Sequence, residues 1–361
     1  MLDRSWTEVR LRFRRRWIGW LRLARELRMI GWGLLDTGHP ILAHLIVTRR
    51  CNLSCAYCNE YDRVSRPVPL ELLLQRVDRL ADLGTAVITL SGGEPLLHPE
   101  LEQVVAHVRR RGLMAGMITN GYLLTEQRIL ALNRAGLDHM QISIDNVEPD
   151  EVSKKSLRVL EPKLRLLSRH ADFHVNINAV LGSGVRQPED ALAVARRAVA
   201  LGFSFTVGVI HGPDGRLRPL GPREKEVYYR LNAMGRVSYS RFHHFRRNLV
   251  EGRPNNWRCR AGARYLYVCE DGLVHYCSQR RGWPGIPLEE YSREDLRREF
   301  FREKPCAPEC TLACVHQVSL IDFWRAPQTP AAVLTPAAAR NIIDLLPAGS
   351  QGEYSGWRSR T

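Results

Sequence analysis

Nine cysteines fall in two groups, with 200 cysteine-free residues between Cys58 and Cys259. The first group, Cys51, Cys55 and Cys58, has the spacing Cys-x3-Cys-x2-Cys and directly follows a β-rich run. Three thiolates on a short loop can bind three irons of a cubane cluster and leave the fourth iron open to another ligand. Zinc sites prefer paired Cys-x2-Cys and four protein ligands. The spacing therefore favours an open 4Fe–4S cluster.

A glycine-rich segment with one acidic residue, Ser91-Gly92-Gly93-Glu94-Pro95, follows the second β-rich run. Glycine allows backbone to approach a ligand closely, and a carboxylate accepts a charge-assisted hydrogen bond from an ammonium. With the three cysteines and the aromatic Tyr57 before the last of them, this segment resembles the signature of the radical S-adenosylmethionine (SAM) superfamily. The resemblance implies that the cysteines hold a 4Fe–4S cluster whose open iron chelates SAM, and that the Gly-Gly-Glu-Pro segment binds the SAM amino group.

Polar residues also end the later β-rich runs. In the superfamily, similar positions contact the ribose, carboxylate or adenine of SAM, and the resemblance assigns this role to Thr119, Asn120, Ser143, Asp145 and Asn178. Each of them is equally a residue type that forms turns or caps helices. Asn146 stands where many relatives have glycine, which is a departure from the family pattern in this loop.

The second cysteine group resembles the SPASM and twitch extensions of radical SAM enzymes, which bind auxiliary iron–sulfur clusters. The resemblance rests on Cys259-Arg260-Ala261-Gly262 and on Asp271-Gly272-Leu273-Val274-His275-Tyr276-Cys277. Six thiols are too few for two fully cysteine-ligated cubanes, so we expect one auxiliary cluster of the 4Fe–4S type, held by Cys259, Cys277 and two of Cys306, Cys310 and Cys314. Cys269 is either a ligand or a core residue, and His316 is either a ligand or structural. A zinc-stapled subdomain is the alternative for the whole region.

Six β-rich runs alternate with amphipathic helical patterns through the middle of the chain. The predicted strands are Ala43–Thr48, Ala86–Leu90, Met114–Thr119, Met140–Ile144, His174–Val180 and Ser204–Ile210. Strand–helix units in series indicate a parallel sheet with right-handed crossovers. Six units are too few for a closed eight-stranded barrel, so we predict an α/β fold, a partial (β/α)6 radical SAM barrel with a small cysteine-rich C-terminal domain. Chemistry in such barrels lies at the carboxyl ends of the strands.

Composition divides the chain into four segments. Residues 1–38 read as a basic amphipathic helix, residues 39–250 as the partial barrel, residues 251–325 as a SPASM/twitch-like domain, and residues 326–361 as a tail with a predicted helix at Pro336–Leu346. The apolar positions of the first segment, which are Trp6, Val9, Phe13, Trp17, Trp20, Ala24 and Leu27, recur at helical spacing. This pattern fits a helix packed on its own protein, a helix on an anionic membrane through residues 1–35, or a partner-docking helix.

The net charge of +15 favours an acidic partner. Nine of the first 30 residues are arginine. We expect a peptide or lipid rather than nucleic acid as the partner. Because no run approaches the ~18–20 apolar residues of a membrane span, we predict a cytoplasmic protein, with peripheral membrane contact as the variant.

These features predict an enzyme that reductively cleaves SAM to a 5′-deoxyadenosyl radical and abstracts hydrogen from a substrate, with a flavodoxin or ferredoxin as reductant. Relatives with such extensions often modify ribosomal peptides, so a peptide is the first expectation. A lipid or isoprenoid substrate is the second, suggested by the Arg/Trp-rich first helix, and a molybdenum-cofactor role is the third. The alternatives outside enzymology are an iron–sulfur electron carrier and a zinc protein. The sequence identifies no catalytic acid or base.

Overall fold

A computed structural model describes residues 2–151, 153–182, 185–210, 219–234 and 243–325, with side chains from residue 13 onwards except at 210, 243 and 244. Six strands follow the predicted runs: β1 Leu42–Thr48, β2 Val87–Gly92, β3 Met114–Thr119, β4 His139–Ile144, β5 His174–Gly182 and β6 Ser204–Ile210. All six pair in parallel in the order β6-β5-β4-β3-β2-β1. The predicted parallel sheet is confirmed, and each strand end lies within two residues of its expected position.

Helices connect these strands. They are α1 Leu2–Leu35, α2 Leu70–Asp82, α3 Leu101–Arg110, α4 Glu126–Ala135, α5 Leu157–His170, α6 Asp190–Ala200, α7 Pro222–Ala233 and α8 His243–Glu251. The apolar sides of α2, α3 and α5 are buried against the sheet, as their 3.6-residue periodicity requires. Glycine ends α4, where Gly136 adopts a left-handed conformation that its lack of a Cβ permits.

The sheet continues through the cysteine-rich region. Beyond residue 250 come β7 Tyr265–Val268, β8 Leu273–His275, β9 Pro284–Pro287, α9 Arg293–Phe301 and α10 Ala313–Ser319. β7 and β8 form a hairpin, because they pair antiparallel around Asp271-Gly272. In addition, β7 pairs in parallel with β1, from Leu42 opposite Tyr265 to Leu45 opposite Val268. In the described part of the chain one nine-stranded sheet therefore crosses the expected domain boundary at residue 250.

The core lies on both faces of the central strands. Every residue of β1 from Ala43 to Thr48 is buried, as is usual for parallel strands covered on both sides. Since the strands are parallel, the segments that follow β1, β2, β3 and β4 emerge at one rim of the sheet. The opposite rim, where β4 and β5 begin, is covered by α1. The tail, with its predicted helix at Pro336–Leu346, lies outside the described residues.

Candidate active site

The cysteine loop leaves the carboxyl end of β1 and is held by backbone hydrogen bonds. The amide of Cys51 donates to the carbonyl of Asp62 over 3.0 Å, and the amide of Cys58 donates to the carbonyl of Cys55 over 3.1 Å. Burial, helped by the charges of Glu94 and Cys58, raises the pKa of Cys51 to about 11. Burial and the charge of Cys55 likewise raise the pKa of Cys58. Three thiols close enough to perturb one another on one loop suit a metal that replaces their protons.

The two glycines after β2 are packed directly on this loop. A Cβ on Gly92, which has φ +142°, would lie 2.0 Å from the Thr48 carbonyl oxygen, and one on Gly93 would lie 2.2 Å from that of Arg49. The Gly93 amide donates to the Thr48 carbonyl over 2.8 Å. Ser91 is buried one residue earlier, opposite Ile46. Because these two glycines have no side chains, the segment that contains them packs closely against the start of the cysteine loop.

Glu94 is fully buried and accepts three hydrogen bonds from the protein. Its Oε1 accepts from the Thr119 hydroxyl at 2.6 Å and from the Leu96 amide at 3.0 Å, and its Oε2 accepts from the Asn120 amide at 2.8 Å. Burial raises the pKa of Glu94, and the three donors oppose that rise. Pro95 follows and begins a short 3₁₀ helix. The carboxylate thus ties the segment after β2 to the end of β3.

Asn120 connects this carboxylate to the cysteines. Its side-chain amide donates to the Asn52 side chain over 2.8 Å and lies 3.8 Å from the sulfur of Cys51. From the other side, the hydroxyl of Ser153 lies 3.4 Å from the sulfur of Cys55. The ends of β3 and β4 therefore surround the loop that follows β1.

Tyr57 belongs to a buried triad that the sequence did not reveal. Its hydroxyl donates to Oδ2 of Asp145 over 2.5 Å and accepts from Nζ of Lys155 over 2.7 Å, while that Nζ lies 3.8 Å from Asp145 Oδ2. Burial raises the pKa of Tyr57, so the hydroxyl keeps its proton. Burial acts to lower the pKa of Lys155, but Asp145 and Tyr57 outweigh it and hold the ammonium charged. Only the position of Lys155 after a strand could have suggested this role.

Ser143 and Asn178 lie deeper in the sheet. They face each other in register on β4 and β5, and Asn178 in turn faces Thr206 of β6, whose hydroxyl donates to the Asn178 side chain over 2.9 Å. These three residues form a polar row within the sheet. Thr119, Asn120 and Asp145 instead contact the cysteine loop or Glu94. Asn146, the departure from the family pattern, donates from its side chain to the Ser153 carbonyl and braces the turn beside Cys55.

Charges on several thiols of the second group shift the pKa values of neighbouring thiols. Burial raises the pKa of Cys277 well above its ordinary value, and the charges of Cys310, Cys259 and Cys306 raise it further. Burial raises that of Cys259 to about 12, with Cys306 adding to the effect. Burial raises the pKa of Cys314 to about 11, hydrogen bonds from the Val315 amide and from Tyr265 oppose that rise, and the charge of Cys314 in turn raises the pKa of Cys310. Among the three downstream cysteines, Cys306 and Cys310 thus act on Cys277, and Cys314 acts on Cys310.

Cys269 lies apart, at the end of β7. Its sulfur, a carboxylate oxygen of Asp271 and a ring nitrogen of His275 lie within 4.8 Å of one another. The charge of Arg281 acts on both Cys269 and His275, which disfavours a cation there. His316 stacks on Phe245 with ring centroids 3.8 Å apart, and burial lowers its pKa to about 3. Its packing agrees with the structural alternative.

Residues 45–217 match the family model described as "Radical SAM superfamily". These residues therefore form a radical SAM domain, and the predicted resemblance is confirmed. A 4Fe–4S cluster and SAM are the cofactors that this family implies.

Among curated relatives, the PqqA peptide cyclase of Gluconobacter oxydans (strain 621H) is 40% identical over 110 residues, which are 30% of this chain and 30% of that protein. The PqqA peptide cyclase of Bradyrhizobium diazoefficiens is 33% identical over 156 residues, 40% of each chain. The matched region thus spans less than half of these relatives.

Two solved structures share the fold. Streptococcus suis SuiB bound to precursor peptide SuiA superposes with TM-score 0.55 at 14% identity, covering 72% of this chain and 65% of that one. Native anSMEcpe with bound AdoMet and Cp18Cys peptide superposes with TM-score 0.53 at 18% identity, covering 79% and 98%. At these identities the likeness concerns the fold, and the predicted α/β radical SAM architecture is confirmed.

Proposed function

We propose that this protein uses a SAM-derived radical to modify a ribosomally made peptide. The observation that carries the proposal is the three-thiol loop enclosed at the carboxyl rim of the sheet by the Glu94–Asn120 and Tyr57–Asp145–Lys155 networks. When bound, a 4Fe–4S cluster and SAM supply a 5′-deoxyadenosyl radical that abstracts hydrogen. The remaining contributions come from the protein's own side chains.

In this proposal Cys51, Cys55 and Cys58 ligate the cluster, because they are three thiols on one loop whose charges act on one another. Glu94 and Asn120 hold the loop and the Gly92–Gly93 segment in fixed relation. Lys155 is a charged ammonium beside the loop, which suits a carboxylate such as that of SAM. Tyr57, Ser91, Pro95, Thr119, Ser143, Asp145 and Asn178 complete the proposed SAM site.

We further propose one auxiliary cluster on Cys259, Cys277, Cys306 and Cys310. Support comes from the charges of Cys259, Cys306 and Cys310, which all act on Cys277, as expected for neighbouring thiols that share one cluster. Cys314 and Cys269 are outside this set. The residues 251–325 then act as a SPASM/twitch-like unit, and a flavodoxin or ferredoxin is the proposed electron donor.

The peptide substrate is supported by the relatives named PqqA peptide cyclase and by the fold shared with SuiB bound to a precursor peptide. None of these named relatives supports the lipid substrate. The non-enzymatic alternatives, an electron carrier or a zinc protein, do not account for a radical SAM domain with an open three-thiol loop.

Anaerobic reconstitution tests the cluster assignments. Wild-type protein should carry about eight irons as two cubanes, and should form 5′-deoxyadenosine from SAM and dithionite. Replacing Cys51, Cys55 and Cys58 together by alanine should leave about four irons and abolish 5′-deoxyadenosine. Replacing Cys314 alone should leave the iron content unchanged, whereas Cys310→Ala should lower it by up to about four. Zinc in place of iron in the triple variant would contradict the auxiliary cluster.

The substrate is tested by mass spectrometry on short peptides encoded beside the gene. A mass change that requires both SAM and Cys51, Cys55 and Cys58 is the expected result. If 5′-deoxyadenosine forms but no candidate peptide changes mass or accelerates its formation, the peptide proposal fails while the radical SAM assignment stands.

A further inference from the structure

The first helix, α1, presents its polar side to the protein. Ion pairs join this side to the rim of the sheet where β4 and β5 begin: Arg14–Asp172 at 2.7 Å, Arg25–Asp138 at 2.5 Å and His139–Glu26 at 3.2 Å. Arg15 also donates to the Ser168 carbonyl over 3.3 Å. Near the end of the helix, Gly33 lies against Ile41 and Ile321, and Met29 packs against the buried cluster that contains Ile41. Ionic contacts therefore hold most of the described length of α1.

The opposite side of α1 is apolar and faces solvent. Its large side chains are exposed by these fractions: Phe13 72%, Trp17 59%, Trp20 67%, Leu27 60% and Leu35 83%. The sequence left open whether the aromatic side packs on the protein, and the structure shows that Phe13, Trp17, Trp20 and Leu27 do not; the side chains of Trp6 and Val9 are outside the described residues. A continuous exposed apolar row of this size marks an interaction surface.

We propose that this outward side of α1 docks the protein on an anionic membrane surface. Tryptophan is suited to the membrane interface because its ring is apolar and its N–H is polar. Arg16 and Arg28 are exposed among the apolar side chains, where they can meet lipid phosphates. The whole chain carries +15. No helix in the described residues is long and apolar enough to cross a bilayer, so the contact is peripheral.

Charge argues against a second copy of the chain and against a nucleic acid as the partner of this side of α1. A second copy placed face to face would bring Arg16 and Arg28 of both chains into one apolar interface, where like charges repel. A nucleic acid would satisfy the arginines but leave Trp17, Trp20 and Leu27 against a phosphate backbone. A lipid surface accommodates both kinds of side chain together.

The position of α1 separates this function from catalysis. It covers the rim where β4 and β5 begin, whereas the cysteine loop follows the carboxyl end of β1 at the opposite rim. On a membrane, the open cysteine site would therefore point away from the lipid. The proposal is independent of the peptide substrate, and it argues against direct delivery of a lipid from the membrane to the cluster.

Co-sedimentation with vesicles tests the docking. The full-length protein should sediment with phosphatidylcholine vesicles that contain phosphatidylglycerol, and much less with phosphatidylcholine alone. Arg16→Gln and Arg28→Gln should each weaken the anionic binding about fivefold, and raised salt should weaken it as well. Trp17→Gln with Trp20→Gln should weaken it about tenfold or more.

The matched control is Phe301→Gln on α9, whose side chain is 65% exposed, like that of Trp20. It should bind vesicles as wild type does. Iron content and thermal midpoint, measured on every variant, should not change because the ion pairs of α1 remain. Equal sedimentation with neutral and anionic vesicles would overturn the proposal. So would failure to sediment with either, and a concentration-dependent dimer lost in the tryptophan variant would then assign this face to a second copy.

Discussion

Replacing Glu94 should destabilise the protein even before any ligand is considered. The carboxylate is fully buried, and its two oxygens accept from the Thr119 hydroxyl and the amides of Leu96 and Asn120. Glu94→Ala removes the acceptor of all three donors. Glu94→Gln keeps one oxygen, which can still serve Thr119 and Leu96, but it turns an NH₂ group towards the Asn120 amide. The two variants therefore remove different numbers of hydrogen bonds from the same place.

The expected magnitudes follow from the number of donors left without an acceptor. Each buried unsatisfied donor costs about 1–3 kcal/mol. Glu94→Ala should thus lower the free energy of unfolding by about 3 kcal/mol or more, and Glu94→Gln by about 1–3 kcal/mol. A domain is stable by only about 5–15 kcal/mol, so the alanine variant loses a large fraction of its stability. Glu71, exposed in the first turn of α2, provides the control Glu71→Gln, which should stay within about 0.5 kcal/mol of wild type.

The assay is anaerobic urea unfolding followed by circular dichroism, on protein of equal iron content, with a SAM titration of each folded variant. SAM affinity should fall for Glu94→Gln, because a charge-assisted acceptor beside the loop is lost. We expect the free energy of unfolding to decrease in the order wild type, Glu94→Gln, Glu94→Ala. If Glu94→Ala unfolds within about 0.5 kcal/mol of wild type, the carboxylate does not brace the site as the hydrogen bonds indicate.

Three further changes test other parts of the structure. Lys155→Met leaves the buried Asp145 without its cation and should cost about 3 kcal/mol in unfolding free energy, while Lys154→Met at the exposed neighbour should cost almost nothing; equal effects would contradict the triad. Burial lowers the pKa of His44 to about 4 from an ordinary 6.5, so the unfolded state takes up a proton first, and stability should fall as pH drops from about 6.5 towards 4. Unfolding at several pH values should show His44→Gln losing up to about 1.4 kcal/mol per pH unit of that dependence, and an unchanged slope would refute the assignment. Asp322→Asn breaks the fully buried 2.8 Å pair with Arg264 and should cost about 3–5 kcal/mol, against less than about 1 for Asp82→Asn in an exposed pair.

Local sequence patterns predicted the strands, because these elements depend on residues close together in the chain. The six β-rich runs that alternate with amphipathic helical patterns predicted all six parallel strands. Ser153, which precedes α5, makes a turn and does not start the helix. Its amide donates to the Asp150 carboxylate and its hydroxyl accepts from the Lys155 amide, so the helix begins only at Leu157. Serine competes with the helix for backbone hydrogen bonds in this way.

Features that depend on long-range contacts were not predictable in the same way. The period of α1 showed that Phe13, Trp17 and Trp20 share one side, but a period does not say which side meets the protein. The orientation of α1 depends on two carboxylates far along the chain, Asp138 and Asp172, which attract the arginines on the other side of the helix. Lys155 was missed for a similar reason, since its partners Tyr57 and Asp145 come from two other segments.

The sheet explains why the cysteine-rich region and the cysteine loop are not independent. Because β7 lies beside β1, side chains from the C-terminal region reach the loop: Tyr267 donates to Glu60 over 2.5 Å, Arg281 to the Asn59 carbonyl over 3.0 Å, and Glu270 pairs with Arg49 at 3.4 Å. The loop that carries Cys51, Cys55 and Cys58 is thus held on one side by the segment after β2 and on the other by residues beyond 250. A change of composition at residue 250 therefore does not separate two energetically independent units. The C-terminal region contributes its own thiols and also fixes the shape of the loop at which the proposed radical chemistry begins.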